Sequence, residues 1–300
     1  MNSKTLSLSS KFSSVAVIGL GLIGGSVASA LRQQGCYVVA FDADPSNLQL
    51  GLELNVIDKG VSTINSVFEN AELIIVAVPV LAMMEVFKAI STCFDTGVII
   101  TDVGSVKSPI LEAVEKFHGR LPHNYVPGHP IAGSENHGVA NADADLFKAH
   151  QVILTPDEGT SAAAVTRVTE MWQGFGASVS RMQASHHDLV LAQTSHLPHL
   201  LAYALVETLS SQGDSLEIFD YAAGGLRDFT RIAASDPRMW RDIFRSNRKP
   251  LLDILDRYMT ELDELRDLIE QDESEEVLQR LYRAKAARDH FGRILEERSK

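Results

Sequence analysis

Cysteine and basic charge are both scarce in this chain of 300 residues. The two cysteines, Cys36 and Cys93, have neither disulfide nor metal-ligand spacing, which excludes a disulfide framework and favours a reducing, cytoplasmic compartment. Lys and Arg number 27 against 39 Asp and Glu, so the formal net charge is −12. Because that field repels nucleic acid and anionic membrane surfaces, we predict no nucleic-acid partner.

Long apolar runs are missing outside the segment Val15–Leu31. This segment follows two lysines, as a secretory signal does, but its four glycines weaken a signal helix and fit a nucleotide-binding turn better. No other uncharged apolar stretch approaches ~20 residues, so we predict no membrane span and no membrane partner. The serine-rich residues 1–13 are predicted to form a flexible tail.

Short apolar runs alternate with helical patterns between residues 14 and 184. The predicted strands are Val15–Gly19, Tyr37–Asp42, Leu73–Val78, Val98–Asp102, Tyr125–Gly128 and Val152–Thr155. Apolar runs of this length, separated by helices, are what a parallel sheet buried on both faces requires. We therefore predict an α/β domain with a doubly wound parallel sheet over residues 14–184.

Residues 185–300 read as helical throughout, which predicts an all-α second domain. An apolar stripe at steps of three and four runs along its last part: Leu251, Leu255, Tyr258, Leu262, Leu265 and Ile269. The segment is otherwise highly charged, as a solvated face is. Because so elongated a helical part needs its apolar faces covered, we predict a homodimer formed through this domain.

A glycine-rich turn, G-x-G-x-x-G, follows the first predicted strand and begins a helix. In this context the first glycine permits a tight turn, the second lets the backbone approach a pyrophosphate, and the third allows close helix–strand packing. The start of the helix presents unpaired N–H groups to the phosphates. The candidate cofactor-binding residues in the turn are Gly19, Gly21, Leu22, Ile23 and Gly24.

The second strand ends at Asp42, 18 residues after Gly24. A carboxylate there accepts hydrogen bonds from ribose hydroxyls and repels a 2′-phosphate, so the sequence favours NAD over NADP. The alternative role, a cap for the next helix, suits Asp44 better. Val78 and Pro79, after the third strand, are predicted to line the cofactor cleft, although they could simply terminate the strand.

Two further predicted strand ends carry polar clusters, T-D-V-G-S-V-K with Ser105 and P-G-H-P-I-A-G-S-E with His129. Ligands of open α/β sheets bind beyond the carboxyl ends of the strands, where the nicotinamide would lie. Because alcohol oxidation releases a proton, His129 is a candidate base. Ser105 is a candidate to hold the imidazole and the carboxamide of the cofactor in register.

The helical part adds a histidine pair and an arginine-rich stretch. His196 and His199 are three residues apart, but no third or fourth ligand is near, so we predict no metal. Arg231 is a candidate to bind a carboxylate of an anionic, small-molecule substrate. Three other arginines of this stretch could equally face solvent: Arg227, Arg238 and Arg241.

Over residues 14–300 the sequence resembles the prephenate/arogenate (cyclohexadienyl) dehydrogenase family of tyrosine biosynthesis. Four ordered motifs carry the resemblance: V-I-G-L-G-L-I-G-G-S, D-V-G-S-V-K, G-H-P-I-A-G-S-E with S-H-L-P-H, and G-L-R-D-F-T-R-I-A-x-S-D-P-x-M-W. It implies a Rossmann-type NAD-binding domain joined to an α-helical dimerisation domain. It also implies NAD-dependent oxidative decarboxylation of prephenate to 4-hydroxyphenylpyruvate, in a form without a fused mutase or regulatory domain.

The resemblance also implies roles for individual residues. His129 corresponds to the catalytic histidine and Ser105 to its partner serine. His199 corresponds to a substrate-binding histidine, with His196 close by, and Arg231 to the arginine that grips a substrate carboxylate. Arogenate, or both substrates, remains an alternative. Another β-hydroxyacid dehydrogenase would place a lysine as acid/base, and a non-enzymatic NAD-binding regulator would not need these residues.

Overall fold

The computed structural model describes residues 12–133, 136–211 and 220–298. Ser134 and Glu135, which end the motif around His129, lie outside these ranges, as do the first eleven residues of the predicted tail. Within the described part, Phe12 is buried and strand β1 begins at Ser14.

Six parallel strands form the main sheet, in the order β3-β2-β1-β4-β5-β6. Their bounds are β1 Ser14–Ile18, β2 Tyr37–Phe41, β3 Lys59–Gly60, β4 Leu73–Val76, β5 Ile99–Asp102 and β6 Tyr125–Val126. The helices between them are α1 Leu22–Gln33, α2 Pro45–Glu53, α3 Val80–Ala89 and α4 Ser108–His118. The two-residue strand β3 has too short a pattern to be predicted from sequence.

Side chains from β1 enter the core on both faces of this sheet. Val15 and Val17 pack into a cluster with residues of α1 and of α5 (Ala162–Gly174), whereas Ala16 and Ile18 pack with residues of α3 and α4. Alternate residues of one strand are therefore buried on opposite faces, which explains its continuous apolar sequence. The predicted doubly wound α/β fold is confirmed.

A second sheet contains β7 Gly128–Ile131, β8 Gln151–Leu154 and β9 Ser178–Arg181, in that order. The sequence prediction was wrong here, because it treated Tyr125–Gly128 as one strand of the parallel sheet and placed Val152–Thr155, which overlaps β8, in that sheet as well. Pro127, which has no N–H group to donate, separates β6 from β7, and β7 pairs antiparallel with β8. Pro130 is accommodated within β7 because that strand is at the edge of its sheet.

A nearly unbroken helical stretch follows β9: α6 Ala184–Leu191, a π-helical turn at Ala192–His196, and α7 Leu197–Ser210. By length and composition alone, residues 184–210 could cross a membrane. Three ionisable side chains of this stretch, however, are buried and hydrogen-bonded within the protein: His187, Asp188 and His196. The first part of this stretch therefore carries polar groups into the protein interior, although only 28% of the apolar window is buried.

Later helices in the described residues include α8 Gly224–Thr230, α9 Pro237–Ser246, α10 Arg248–Glu270 and α11 Ser274–Arg298, with a 3-10 turn at Arg231–Ala234. The described residues after 184 contain no strand, as predicted. Two compact units divide between Arg248 and Lys249. Within the second unit, Arg280 of α11 forms ion pairs with Glu261 and Glu264 of α10. The predicted boundary at residue 184 stays a prediction.

Candidate active site

The glycine turn between β1 and α1 is sterically fixed at two of its three glycines. Gly19 has φ +99°, and a Cβ there would lie 2.5 Å from the carbonyl oxygen of Ala77. A Cβ on Gly24 would lie 2.0 Å from the carbonyl oxygen of Gly19. Gly21, in contrast, has no protein atom within 4 Å of an added Cβ, and no side chain caps the helix at that position. The turn is therefore packed tightly against the sheet and open on the side where a pyrophosphate would bind.

Asp42 lies just after β2 and ties that strand to the glycine turn. Its Oδ2 accepts a 2.6 Å hydrogen bond from the backbone N–H of Leu20, and its Oδ1 accepts hydrogen bonds from Asp44 N and Asn47 Nδ2. Asp44, rather than Asp42, caps α2 by accepting from the N–H of Ser46, as predicted. The Asp42 carboxylate is thus held beside the turn in an orientation set by three donors.

Val78 and Pro79 continue from the end of β4 toward α3. A Cβ on Gly19 would lie 3.0 Å from Val78 Cγ1, so Val78 borders the turn. Pro79 is exposed and is the residue before the first turn of α3. Both positions are compatible with the wall of a cofactor cleft. The alternative prediction, that these residues simply end the strand, also fits Pro79, which lies between β4 and α3.

His129 lies within β7 and not beyond a strand of the parallel sheet, so its predicted placement was wrong in detail. The side chain is nearly buried, and its Nδ1 lies 2.8 Å from His187 Nε2. Burial is the main cause that lowers the pKa of His129 well below its usual range, and Lys107, His187 and His196 act in the same direction. The imidazole is therefore neutral at neutral pH, which is the form a base requires.

His187 and Asp188 are site residues that the sequence analysis did not single out. The Nδ1 of His187 lies 2.8 Å from Asp188 Oδ1, and both side chains are buried. Asp188 also accepts hydrogen bonds from the backbone N–H groups of Lys107 and Ser108, at 2.9 and 2.8 Å. The only sequence signal was an H-H-D run at the start of a helical stretch, which is too common a pattern to indicate a site.

Lys107 and Asp102 form a buried ion pair next to the start of β7. Lys107 Nζ also donates to the carbonyl oxygen of Gly128, and Asp102 accepts a 2.8 Å hydrogen bond from the hydroxyl of Tyr125. Burial lowers the pKa of Lys107 and, followed by the charge of Asp102, raises that of Tyr125. Because the Lys107 ammonium is fully enclosed, it is a support for the His129 strand and not an acid/base group open to substrate.

His196 and His199 lie in different surroundings although they are one turn apart. His196 is buried, its Nδ1 accepts a 3.0 Å hydrogen bond from Asn247 Nδ2, and burial lowers its pKa to about 4. His199 is half-buried and stacks on Trp240 with ring centroids 3.6 Å apart. Burial lowers the pKa of His199, and the nearby charge of Arg231 contributes.

The predicted residues lie near one another in succession. His187 and His196 contribute to lowering the pKa of His129, His199 contributes to lowering that of His196, and Arg231 contributes to lowering that of His199. No group of three or more potential metal ligands occurs in the described part of the chain. Within the described residues, the hydrogen-bond partner of the His129 side chain is His187, at Nδ1, and not the predicted Ser105.

The other arginines of the predicted stretch are solvent-facing or paired with a neighbour. Arg227 is largely exposed and lies next to Asp228, whereas Arg241 donates to Asp242 and lines a cleft of about 530 Å³. Arg238 is exposed.

A sheet with an open glycine turn, an adjoining carboxylate and a buried imidazole defines a dinucleotide-dependent oxidoreductase with a helical second part.

Comparison with known proteins identifies the family. Residues 27–181 match the nucleotide-binding domain of prephenate dehydrogenase, and residues 183–283 match its dimerization domain. The chain belongs to the prephenate dehydrogenase family. The predictions of the family, the Rossmann-type fold and an NAD-dependent oxidoreductase are thereby confirmed.

Individual relatives match over nearly the whole chain. A cyclohexadienyl dehydrogenase of Zymomonas mobilis is 38% identical and covers 92% of this chain and 95% of its own. A prephenate dehydrogenase of A. aeolicus, solved with hydroxyphenyl propionate and NAD+, is 34% identical, has a TM-score of 0.87, and covers 96% of this chain and 100% of its own. An arogenate dehydrogenase of Synechocystis is 27% identical, has a TM-score of 0.78, and covers 93% and 99%.

Proposed function

We propose that this protein oxidises prephenate with NAD to give 4-hydroxyphenylpyruvate, carbon dioxide and NADH. The observation that carries the proposal is the neutral, buried imidazole of His129, whose Nδ1 is hydrogen-bonded to His187. One base and one arginine, the exposed Arg231, match a substrate that has a ring hydroxyl and two carboxylates.

The residues of the turn fit NAD. Gly21 leaves room for a pyrophosphate at the uncapped start of α1, where Leu22, Ile23 and Gly24 present their N–H groups. Asp42 would accept hydrogen bonds from the ribose hydroxyls, and Val78 and Pro79 would flank the cofactor. When bound, NAD supplies the acceptor for a hydride.

His129 would accept the proton of the substrate hydroxyl at Nε2, as the hydride leaves the ring carbon that bears this hydroxyl. The ring carboxylate then leaves as carbon dioxide, and its bonding electrons complete the aromatic ring. The proton returns to the ring oxygen, so the product is a phenol. A dianionic substrate would favour the imidazolium form of His129 and so offset part of the effect of burial on its pKa.

Substrate binding is assigned to the helical side. Arg231 would hold a carboxylate of the substrate. The ring of His199 is held by stacking on Trp240 and by the hydrogen bond that its Nδ1–H donates to Ser195 O. If substrate binding protonates His199 at Nε2, this nitrogen would donate a hydrogen bond to the substrate as well. His196 would support His199 from the buried side. Ser105, which lies in the loop that follows β5, is proposed to contact the carboxamide of the nicotinamide.

Arogenate is the second candidate substrate, because the chain is 38% identical to a protein named for cyclohexadienyl substrates. Arogenate differs from prephenate by an amino group in place of the side-chain keto group. The ring chemistry at His129 is the same for both, so the difference in kcat/KM reports only on side-chain recognition.

The test follows NADH absorbance with prephenate, arogenate and a simple 3-hydroxyacid as substrates. We expect turnover of prephenate, arogenate or both, and none of the 3-hydroxyacid. Turnover of the 3-hydroxyacid alone would indicate a different β-hydroxyacid dehydrogenase. NAD binding without turnover of any of the three would indicate a regulator.

A cytoplasmic homodimer is proposed as the working form, as the two buried cysteine thiols and the matched dimerization domain support. The two helices of the second unit, α10 and α11, expose large apolar side chains, including Leu262, Ile269, Leu281 and Tyr282. Such a face favours association with a second copy.

Sedimentation velocity tests this assembly. We expect a dimer for the wild type and a shift toward monomer for Ile269→Lys, because a charge would then have to be buried in the contact. Gln271→Lys is the matched control, since it adds the same charge at an exposed polar position. Equal sedimentation of all three proteins as monomers would contradict the proposal.

A further inference from the structure

We propose that His187, oriented by Asp188, is a positioning residue that holds His129 with its Nδ1 protonated and its Nε2 lone pair free for the substrate proton. This inference rests on the proposed function for its catalytic meaning. The arrangement of protons that it requires is a property of the free protein and can be tested separately.

The hydrogen-bond chain fixes each proton in turn. Asp188 is a carboxylate and can only accept, so the 2.8 Å contact with His187 places a proton on His187 Nδ1. Neutral His187 then has an unprotonated Nε2, which can only accept. The 2.8 Å contact between this nitrogen and His129 Nδ1 therefore requires the proton on His129 Nδ1.

Asp188 is itself held by the backbone. The N–H groups of Lys107 and Ser108, at the start of α4, donate to its two oxygens. Burial alone would raise the pKa of Asp188, but the hydrogen bonds from His187, Lys107 and Ser108 lower it overall. The carboxylate therefore stays ionised, and the relay is anchored to a helix that follows β5 of the parallel sheet.

The groups that face His129 come from three elements. His187 belongs to α6, His196 to the π-helical turn, and Lys107 to the residue before α4. Lys107 is paired with Asp102 in a buried ion pair. His187 is the one among these three that hydrogen-bonds the imidazole, so it determines which nitrogen of His129 carries the proton.

The hydrogen bond between His129 Nδ1 and His187 Nε2 also affects the transfer of the substrate proton to His129. When His129 takes a proton at Nε2, the resulting imidazolium still donates from Nδ1 to His187, and a bond from a charged donor is stronger than one from a neutral donor. Without an acceptor, that N–H group would be charged, buried and unpaired. We therefore expect both a lower kcat and a lower pKa of His129 in the ternary complex when the acceptor is removed.

The variants His187→Leu and His187→Gln separate this role from packing. Leu removes the acceptor, whereas Gln keeps an amide oxygen near the position of Nε2 and cannot be protonated. With saturating NAD and prephenate, we expect kcat of the Leu variant to fall roughly 10- to 100-fold, as the loss of a hydrogen bond to a charged group implies. We expect Gln to recover most of this loss.

The pH profile of kcat adds a measurement that a packing defect would not move. The acid limb should shift to lower pH in His187→Leu and stay near that of the wild type in His187→Gln. The matched control is His186→Leu, because His186 is the exposed neighbour on the same helix and should leave kcat and its pH profile unchanged. Equal loss in the Leu and Gln variants, or no loss in either, would overturn the proposal.

Nitrogen-15 NMR of the wild-type protein, labelled at histidine, gives a second test that does not depend on activity. We expect His129 and His187 both to be neutral and protonated at Nδ1 at pH 7, with assignments made by comparison with His129→Asn and His187→Gln. A His129 protonated at Nε2 would contradict the relay. If the tautomers are as expected but neither prephenate nor arogenate is oxidised, the proposed function fails and the proton arrangement stands.

Discussion

At the scale of single residues, the two ring nitrogens of His129 have different roles. Nδ1 is hydrogen-bonded to His187, and Nε2 is the nitrogen proposed to accept the substrate proton. Asn in place of His129 can still donate from its amide to His187 Nε2, but it has no basic nitrogen at the position of Nε2. The variant His129→Asn should therefore fold and bind NAD as the wild type does. Its kcat should fall by ~10²–10⁴-fold, the usual contribution of a positioned base.

Steady-state kinetics together with NAD titration by fluorescence check this expectation. His150→Asn is the matched control, since His150 is exposed and its ring hydrogen-bonds the nearby carbonyl oxygen of Lys148. A His129→Asn enzyme with near wild-type turnover would remove His129 from the base role.

Arg231 is predicted to contribute to substrate binding and not to cofactor binding. Its interaction with His199 places a cation beside the helical part of the candidate site. Removing it in Arg231→Ala should raise KM for prephenate strongly, at least 10-fold for a charge-assisted hydrogen bond of about 1.5–3 kcal/mol, and leave NAD affinity unchanged.

The matched control for this variant is Arg227→Ala, four residues earlier, where the side chain is largely exposed and next to Asp228. KM measured at saturating NAD should change little in the control. If both alanine variants show the same KM, the carboxylate is bound elsewhere.

At the scale of elements, the turn between β1 and α1 separates glycines needed for folding from one needed for binding. A Cβ at Gly24 would lie 2.0 Å from a backbone oxygen, so Gly24→Ala should lower the melting temperature. A Cβ at Gly21 meets no protein atom within 4 Å, so Gly21→Ala should melt as the wild type does. Its affinity for NAD should nevertheless fall by an order of magnitude or more, because the methyl group occupies the pyrophosphate position.

Thermal melting and NAD titration on the same samples distinguish these effects. Gly97→Ala is the control, because Gly97 is exposed and also has open space around an added Cβ. An unaltered NAD affinity in Gly21→Ala would show that the pyrophosphate does not approach this backbone.

At the scale of the whole molecule, buried histidines link folding stability to pH. Burial lowers the pKa of His129, His187 and His196 in the folded state, for His196 from 6.5 to about 4. Below pH 6.5 the unfolded chain therefore binds more protons than the folded one, and stability falls as the pH decreases. Each such histidine contributes a slope of about 1.4 kcal/mol per pH unit between its folded and unfolded pKa values.

Urea denaturation at pH 5.0, 6.0, 7.0 and 8.0 and one protein concentration measures this linkage. The free energy of unfolding should be nearly constant from pH 7 to 8 and should drop steeply from pH 6 to 5. His196→Gln should make the acid drop shallower by one histidine, whereas the exposed His150→Gln should not. A pH-independent free energy from 5 to 7 would contradict the neutral, buried state of these side chains.

Local sequence patterns by themselves determined the glycine turn, the positions along the chain of the four strands β1, β2, β4 and β5, the helical character after residue 184 and the family. They could do so because each depends on the spacing of residues close in the chain, such as alternation within a strand or three-to-four steps in a helix. Asp44 as a helix cap and Asp42 beside the turn were predictable for the same reason.

Only the tertiary structure decided that β6 and β7 belong to different sheets, and that His129 bonds to His187 rather than to Ser105. The His129–His187 pair is separated by 58 residues, and Asp188 reaches the N–H groups of residues about 80 positions earlier. No local periodicity encodes such contacts, because they depend on how the packed sheets and helices bring distant segments together. The identity of the candidate base could therefore be inferred from a motif, while the state of its proton is set by side chains that the fold places next to it.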